Sequence, residues 1–109
     1  MTNIARVGDL GHGFCKAGHP GIPVGVPKEF VTTFISGANS VFLNNKPVAI
    51  TNVTLGDTDC GHTTTALAGS GTVFVENQPI HRLNDLGIIN EGEGEYNVIS
   101  TSDDGEAGG

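Results

Sequence analysis

The chain has 109 residues and a formal net charge of −7, and it is poor in large apolar side chains: 37% of its residues are hydrophobic, none is Trp, and 17 are Gly. A chain of this length forms one domain at most. Because its apolar content offsets little of the ordering entropy, we expect a further stabilising device such as a metal, a disulfide or oligomerisation. Five Lys and Arg against twelve acids, with no basic stripe, argue against nucleic-acid binding.

The acidic charge is concentrated at the C-terminus. Residues 1–90 carry six acids and five Lys or Arg, whereas residues 91–109 carry six acids and no base. We predict a folded domain over residues 1–101 and an acidic, flexible tail over residues 102–109. No stretch approaches the roughly 18 apolar residues of a membrane span, and the N-terminus lacks the apolar core of a signal peptide. We therefore expect synthesis in the cytoplasm without a signal peptide.

The predicted elements are short β-strands. The first long apolar stretch, VPKEFVTTFISG at residues 26–37, contains β-branched residues in a row, which favours an extended chain over a helix. In chain order the later runs are SVFL, PVAITNVTL, HTTTALA, TVFVE, PIHRL and NVIS. They lie between Gly, Asn and Pro, as is typical of strands joined by tight turns. NNKP at 44–47 and ENQP at 76–79 predict hairpin turns.

The sequence repeats itself at an offset of 32 residues. Over 17 positions beginning at Ser36, six are identical to the residue 32 places later, which defines units at about 36–53 and 68–85. A half-unit at about 94–100, GEYNVIS, is similar to the beginning of the unit, and one at 3–9, NIARVGD, is similar to its end. Three units permuted in this way predict a closed object with pseudo-threefold symmetry, suited to the axis of a trimer.

All His and Cys residues are candidate metal ligands. They are His12, Cys15 and His19 in GHGFCKAGH, Cys60 and His62 in CGH, and His81. Zinc is bound tetrahedrally by Cys sulfur and His nitrogen, and a closed four-ligand site contributes folding free energy. Each residue taken alone also fits a loop or core role, and a Cys15–Cys60 disulfide is the alternative for the thiols. Taken together, and with no other stabilising device in view, they favour a metal.

The repeat resembles the PAAR-repeat family, the metal-bound spike-tip proteins of contractile phage tails and type VI secretion systems. The residues that carry the resemblance are Gly-Asp…Gly-His followed by Gly-Ser-x-x-Val-Phe-Val-x-x-x-Pro-x-x-Arg-x-x-Asp. It covers the chain to about residue 100. The motif that names the family reads Pro47-Val48-Ala49-Ile50 in one unit and Pro79-Ile80-His81-Arg82 in the next.

The resemblance implies an all-β cone or pyramid of short strands with a metal at its apex. The family's ligand set is typically three His and one Cys, and its most regular Cys lies in the second Gly-Asp loop, which points to Cys60. The implied set is His12, Cys60, His62 and His81, with His19 and Cys15 as reserves. His12 and His62 are preferred because both follow Gly. Zinc is the expected metal and iron the alternative.

The resemblance also implies a function without catalysis. The chain would be monomeric when free, would cap a trimeric β-helical spike protein with one tip per trimer, and would pierce the target cell envelope when the machine fires. Its location would be the virion baseplate or the tip of a secretion apparatus. The alternatives are a small zinc-dependent hydrolase, with Asp9, Asp57 or Asp59 as base, and a free β-rich binding module held by a Cys15–Cys60 disulfide.

Four further residues have predicted structural roles. Arg6 and Arg82 hold corresponding repeat positions, and we expect equivalent salt links or carbonyl contacts from them. Phe42 and Phe74 also correspond, and they are either core residues or the apolar floor of a docking base.

Overall fold

The structure, a computed structural model, describes residues 2–101 and 105–108 and is all-β over that part of the chain. The strands are β1 Thr2–Asn3, β2 Leu10–Cys15, β3 Lys28–Phe34, β4 Phe42–Leu43, β5 Lys46–Pro47, β6 Leu55–Thr58, β7 Thr63–Ala66, β8 Phe74–Val75, β9 Gln78–Pro79, β10 Leu86–Ile89, β11 Gly94–Val98 and β12 Glu106–Ala107. No membrane-spanning helix occurs among these residues. The predicted all-β class is confirmed.

Three hairpins form a closed antiparallel barrel. They are β2–β3, β6–β7 and β10–β11, and the strand order around the barrel is β10, β11, β2, β3, β6, β7. Because every hairpin runs up and down the barrel once, the three hairpin turns lie at the same end, which we call the turn end. The other end, where the chain enters and leaves each hairpin, is the base. The molecule is elongated, with principal extents of 41 × 24 × 22 Å.

Three two-stranded ribbons accompany the three hairpins. Two of them, β4–β5 and β8–β9, are closed by the predicted NNKP and ENQP turns. Both central residues of each turn have positive φ, 55° and 64° at Asn44 and Asn45 and 52° and 67° at Glu76 and Asn77. This is the type I′ geometry that suits the twist of a hairpin. The third ribbon pairs β1 with β12 and so joins the two ends of the chain.

A closed ring of backbone hydrogen bonds links the three units at the base. The amide of Ala5 donates to the carbonyl of His81 (3.0 Å), that of His81 to Ala49 (2.9 Å), and that of Ala49 to Ala5 (2.9 Å). The surrounding bridges follow the same rotation: Ile4 with Arg82, Ile80 with Ile50, and Val48 with Arg6. This pattern confirms the predicted pseudo-threefold arrangement.

The segment that completes the third unit differs from the predicted one. Gly94–Val98 is a barrel strand, and Val98 accepts from the amide of Asn84 as Phe34 does from Gly8. The completing residues are 105–107, since Gly105 accepts from the amide of Ile4 just as Val41 does from Val48 and Val73 from Ile80. The prediction for GEYNVIS was wrong because ribbon strands and barrel strands share the same short alternation of polar and apolar residues.

Part of the predicted flexible tail therefore belongs to the fold. Ala107 is fully buried, and the carbonyl of Gly108 accepts hydrogen bonds from Ser70 Oγ and Arg82 Nη1. Acidity indicated disorder there, but two short β pairs and a buried methyl group outweigh it. Residues 102–104 and 109, also assigned to the tail, lie outside the described residues.

The predicted role of the two arginines is confirmed. Arg6 Nε lies 3.1 Å from Asp9 Oδ2, and Arg82 Nε lies 3.0 Å from Asp85 Oδ2, both within the turn that leads from the ring into the barrel. Each Asp also accepts from the backbone amide of its own Arg, so the same carboxylate fixes both the turn and the side chain.

The barrel interior is narrow, which accounts for several of the glycines. In each hairpin an inward Gly pairs with a buried residue on the neighbouring strand: Gly11 with Thr32, Gly56 with Thr64 and Gly87 with Tyr96. A methyl group on Gly87 would overlap the Tyr96 ring, and one on Gly56 would overlap the two threonine hydroxyls. At the level of these three glycines the interior has room for one ring and small side chains, so glycine is required opposite Tyr96.

His81 is a core residue at the base. Its side chain is fully buried. Nδ1 lies 2.6 Å from the carbonyl oxygen of Ala68 and Nε2 lies 3.0 Å from Tyr96 Oη. Because a carbonyl can only accept, Nδ1 carries the proton and Nε2 accepts from the tyrosine hydroxyl. Burial lowers the pKa of His81 from its ordinary value, so the ring stays neutral near pH 7.

We predict that Gly87→Ala lowers the free energy of unfolding by about 1–3 kcal/mol, because the added methyl overpacks the barrel against Tyr96. Denaturant titration of Gly87→Ala, Tyr96→Leu and the double variant measures the effect. The double variant should be more stable than additivity predicts, since removing the ring makes room for the methyl. Additive losses would contradict the overlap.

We also predict that stability falls as the pH drops below about 6.5, where the unfolded chain protonates His81 and the folded chain does not. The slope from this one residue is at most about 1.4 kcal/mol per pH unit. His81→Gln should be less stable at pH 7.5 but should show a shallower dependence between pH 5 and 6.5. Urea denaturation of both proteins at the same saturating zinc concentration tests this, and parallel pH curves would refute it.

Candidate metal centre

Four side chains from two neighbouring hairpins converge at the turn end of the barrel. Cys15 is the last residue of β2, and His19 lies in the long connection, residues 16–27, between β2 and β3. Cys60 and His62 lie in the short turn between β6 and β7. One possible ligand atom from each of the four lies within 4.8 Å of all the others, so this group could hold a metal ion.

Local hydrogen bonds hold the short turn in this shape. The Thr58 hydroxyl donates to the carbonyl of His62 (2.7 Å) and accepts from the amide of His62 (2.9 Å). Gly61 has a φ of 89°, a left-handed conformation that glycine adopts without strain. The turn therefore reverses within four residues and brings Cys60 and His62 to the same side.

A second small turn positions His19. Its amide donates to Ile22 (2.9 Å), and the amide of Ile22 donates back (2.8 Å). Gly18, just before this turn, and Gly21, within it, have φ of 93° and 79°. The long connection is thus folded back on itself, and the His19 ring packs edge-on against His62 with 4.9 Å between ring centroids.

Two sulfur–nitrogen separations in the cluster fit tetrahedral zinc. His62 Nδ1 lies 3.5 Å from Cys15 Sγ and 3.6 Å from Cys60 Sγ. Zinc bonds of about 2.3 Å to sulfur and about 2.0–2.1 Å to nitrogen, at tetrahedral angles, place S and N about 3.6 Å apart. Both cysteines are free thiols, so both sulfurs are available as ligands.

His19 supplies an independent sign of a missing partner. Both of its ring nitrogens are buried, and neither has a hydrogen-bond partner among the described residues. Buried polar atoms are nearly always paired, so an imidazole in this state indicates a ligand that satisfies it. Desolvation, and then the nearby His62, lower the pKa of His19, which keeps it in the neutral form that binds metals.

The two thiols also indicate a bound metal. Cys15 is fully buried, and burial is the main cause that raises its pKa, with Cys60 adding to the shift. Without a cation, two neighbouring thiolates in this position would be unfavourable. A bound metal reverses this preference because it displaces the thiol protons.

The structure brings together a different set from the one that the sequence favoured. Cys60 and His62 lie in the cluster, and so do the two reserves, Cys15 and His19. His12 points outward from β2, where Nε2 lies 2.7 Å from Glu29 Oε2. His81 lies at the base with both nitrogens engaged.

Strand parity explains the difference. Gly11, Gly13 and Cys15 face the barrel interior, so His12, at an odd spacing from Cys15, faces out. The Gly-His match was misleading because Gly11–His12 lies within a strand and Gly61–His62 within a turn. A usable signal was present: Gly-x-x-x-Cys occurs at Gly11–Cys15 and at Gly56–Cys60, and both glycines hold the same inward position in their hairpins.

The third hairpin carries Glu91 at the position of the two cysteines, four residues after Gly87. Its carboxylate accepts from the amide (2.7 Å) and the hydroxyl (2.6 Å) of Thr63, and these bonds lower the pKa of Glu91. The third hairpin is therefore tied to the second by hydrogen bonds, and the candidate centre joins the first to the second. The centre breaks the threefold symmetry that the base retains.

No protein-family model matches the chain, and a search of curated proteins gives no significant match.

We predict that the purified chain binds one zinc or cobalt ion and that Cys15→Ser and His19→Ala each weaken binding by at least tenfold. Cobalt bound by two thiolates absorbs light through sulfur-to-metal charge transfer. This absorption should fall in Cys15→Ser, which loses one sulfur ligand. It should remain, at lower intensity because binding is weaker, in His19→Ala, which keeps both sulfurs. His12→Ala is the matched control and should bind normally. If His12→Ala loses the metal while His19→Ala keeps it, the centre described here is not the binding site.

Proposed function

We propose that this chain is a spike tip of the PAAR-repeat kind, capping the trimeric β-helical spike of a contractile injection machine and forming its membrane-piercing point. The observation that carries the proposal is the combination of a pseudo-threefold base at one end with a candidate metal centre at the other. The machine would be a phage tail, with the chain in the virion baseplate, or a type VI secretion apparatus.

The base supports a threefold partner because large apolar side chains are exposed at equivalent positions. The second strands of the three hairpins, β3, β7 and β11, are each followed directly by a large apolar residue. These residues are Ile35, Leu67 and Ile99, and they are 52%, 46% and 51% exposed. Three copies related by a threefold rotation match three identical subunits around one axis.

The ribbons add to this surface. Phe42 and Phe74 occupy equivalent positions in β4 and β8, and each is 56% exposed, so they are not core residues. The remaining alternative from the sequence, an apolar floor for docking, is the one we propose for them. Glu106 holds the third position, in β12.

A metal at the turn end would give the point its rigidity. The connection of residues 16–27 carries side chains that are largely exposed, with Val24 78% exposed, so few apolar contacts hold it. Segments with few buried contacts open locally at low cost in free energy. A zinc ion bound by Cys15, His19, Cys60 and His62 would tie this connection to the neighbouring hairpin and oppose that opening.

The same ligand set favours a structural over a catalytic metal. A catalytic zinc keeps one coordination position open for water, whereas four protein ligands occupy all of them. Of the carboxylates considered as bases, Asp9 is paired with Arg6, and Asp59 accepts from the amide of Val31. We therefore propose no catalytic activity, with zinc preferred over iron for a site of two sulfurs and two nitrogens.

Binding to purified trimeric β-helical spike proteins, of the phage-tail and type VI kinds, tests the proposal. We predict a complex of one chain per trimer by native mass spectrometry. The triple variant Ile35→Asp, Leu67→Asp, Ile99→Asp should lose binding at least a hundredfold while retaining metal. Val24→Asp is the matched control, because it alters an equally apolar, more exposed side chain at the turn end.

Loss of binding in Val24→Asp but not in the triple variant would place the contact at the wrong end and refute the proposed orientation. Absence of binding to every trimeric spike tested would refute the proposed function.

A further inference from the structure

The candidate metal centre contains two thiols, and this gives it a second possible chemistry. Cys15 Sγ and Cys60 Sγ lie within 4.8 Å of each other and contact the same nitrogen, His62 Nδ1. Both are free thiols in the structure. A disulfide needs the two sulfurs at about 2.05 Å, so closure requires a movement of less than about 3 Å.

The two thiols are not equally accessible. Cys15 is fully buried at the end of β2, whereas Cys60 is partly exposed in the turn after β6. Its neighbour Gly61 has open space around the position of a side chain, so nothing packs against the turn on that side. An oxidant therefore reaches Cys60 first, and Cys15 is placed to react with the product.

We propose that Cys15 and Cys60 form a disulfide when the centre is metal-free and a hydroperoxide is present, so that the turn end has two mutually exclusive closed states. This inference concerns the same four residues but does not depend on the spike-tip function. Tetrahedral zinc holds two sulfur ligands about 3.8 Å apart, which is incompatible with an S–S bond. Bound zinc thus prevents the disulfide, and the disulfide prevents zinc binding.

The chemistry balances in two steps. The Cys60 thiolate attacks the distal oxygen of the hydroperoxide, whose O–O bond breaks, giving Cys60 sulfenic acid and releasing an alkoxide that takes up a proton. The Cys15 thiol then attacks the Cys60 sulfur, the S–O bond breaks, and the disulfide forms with release of water. Two thiols are oxidised, and one hydroperoxide is reduced to an alcohol and water.

The structural consequence is that the two hairpins stay joined in either state. The disulfide closes a loop over residues 15–60, and cross-links of this length stabilise mainly by restricting the unfolded chain. The reduced, metal-free protein has neither connection. It should therefore have the lowest melting temperature of the three forms.

Three samples of the full chain test the proposal: zinc-bound protein exposed to hydrogen peroxide, chelator-treated protein without peroxide, and chelator-treated protein exposed to peroxide. They are compared by thiol titration and intact mass. We expect two free thiols in the first two samples and none in the third, with a mass lower by two hydrogens and a Cys15–Cys60 peptide that dithiothreitol cleaves. Zinc binding should return after reduction.

Two pairs of variants make the result specific. In Cys15→Ser, a sulfenic-acid probe should label Cys60, whereas in Cys60→Ser it should label Cys15 at least tenfold more slowly. His62→Ala retains both thiols but lacks one metal ligand, so it should form the disulfide without chelator. His12→Ala should behave as the unaltered chain.

Other products would overturn the proposal. These are persistence of both thiols under peroxide, sulfinic or sulfonic acids without loss of two hydrogens, and disulfide-linked dimers. None of these outcomes bears on binding to a trimeric spike, so the two proposals fail independently.

Discussion

Three backbone hydrogen bonds among Ala5, Ala49 and His81 form the constraint on which the architecture depends. Each of the three residues donates one backbone hydrogen bond and accepts one. A unit therefore has both bonds only when all three units are present. The ring fixes the direction in which each chain segment enters the barrel, and the Arg–Asp turns that follow Ala5 and His81 set the bend. The closed barrel then leaves no free strand edge among its six strands.

The narrow barrel interior determines where the rest of the stability comes from. Inward glycines make room for Tyr96 and for the Thr32–Thr64 hydrogen bond (2.9 Å), and the buried rings of Phe30 and Phe34 complete the core of the barrel. Toward the turn end the strands give way to largely exposed connections. A metal or a covalent bond between hairpins is the physical means that a small protein has for holding such a region together.

The fold could be predicted to a large extent, because the period-32 repeat and the turn chemistry of NNKP and ENQP are local signals. The strand that completes the third unit, β12, was not predicted. It has only two residues, and the acidic composition around it indicated disorder. Only half of the candidate metal centre could be predicted from the sequence: Cys60 and His62 lie together in sequence, whereas recognition of Cys15 required the strand register that relates Gly11 to Gly56. His19 could not be placed, since a pair of glycine turns folds its connection back toward the barrel.

The third ribbon has a consequence for the order of folding. It pairs Thr2 with Ala107, so this ribbon cannot form until residues 106–107 are available, whereas the ring needs only residues up to His81. During synthesis the first two hairpins, complete by Ala66, can pair and bring Cys15 near His62 well before β12 leaves the ribosome. Contacts of such long sequence separation form slowly because loop closure costs entropy. The turn end can therefore be assembled first, and the base is completed only when residues 106–107 pair with β1.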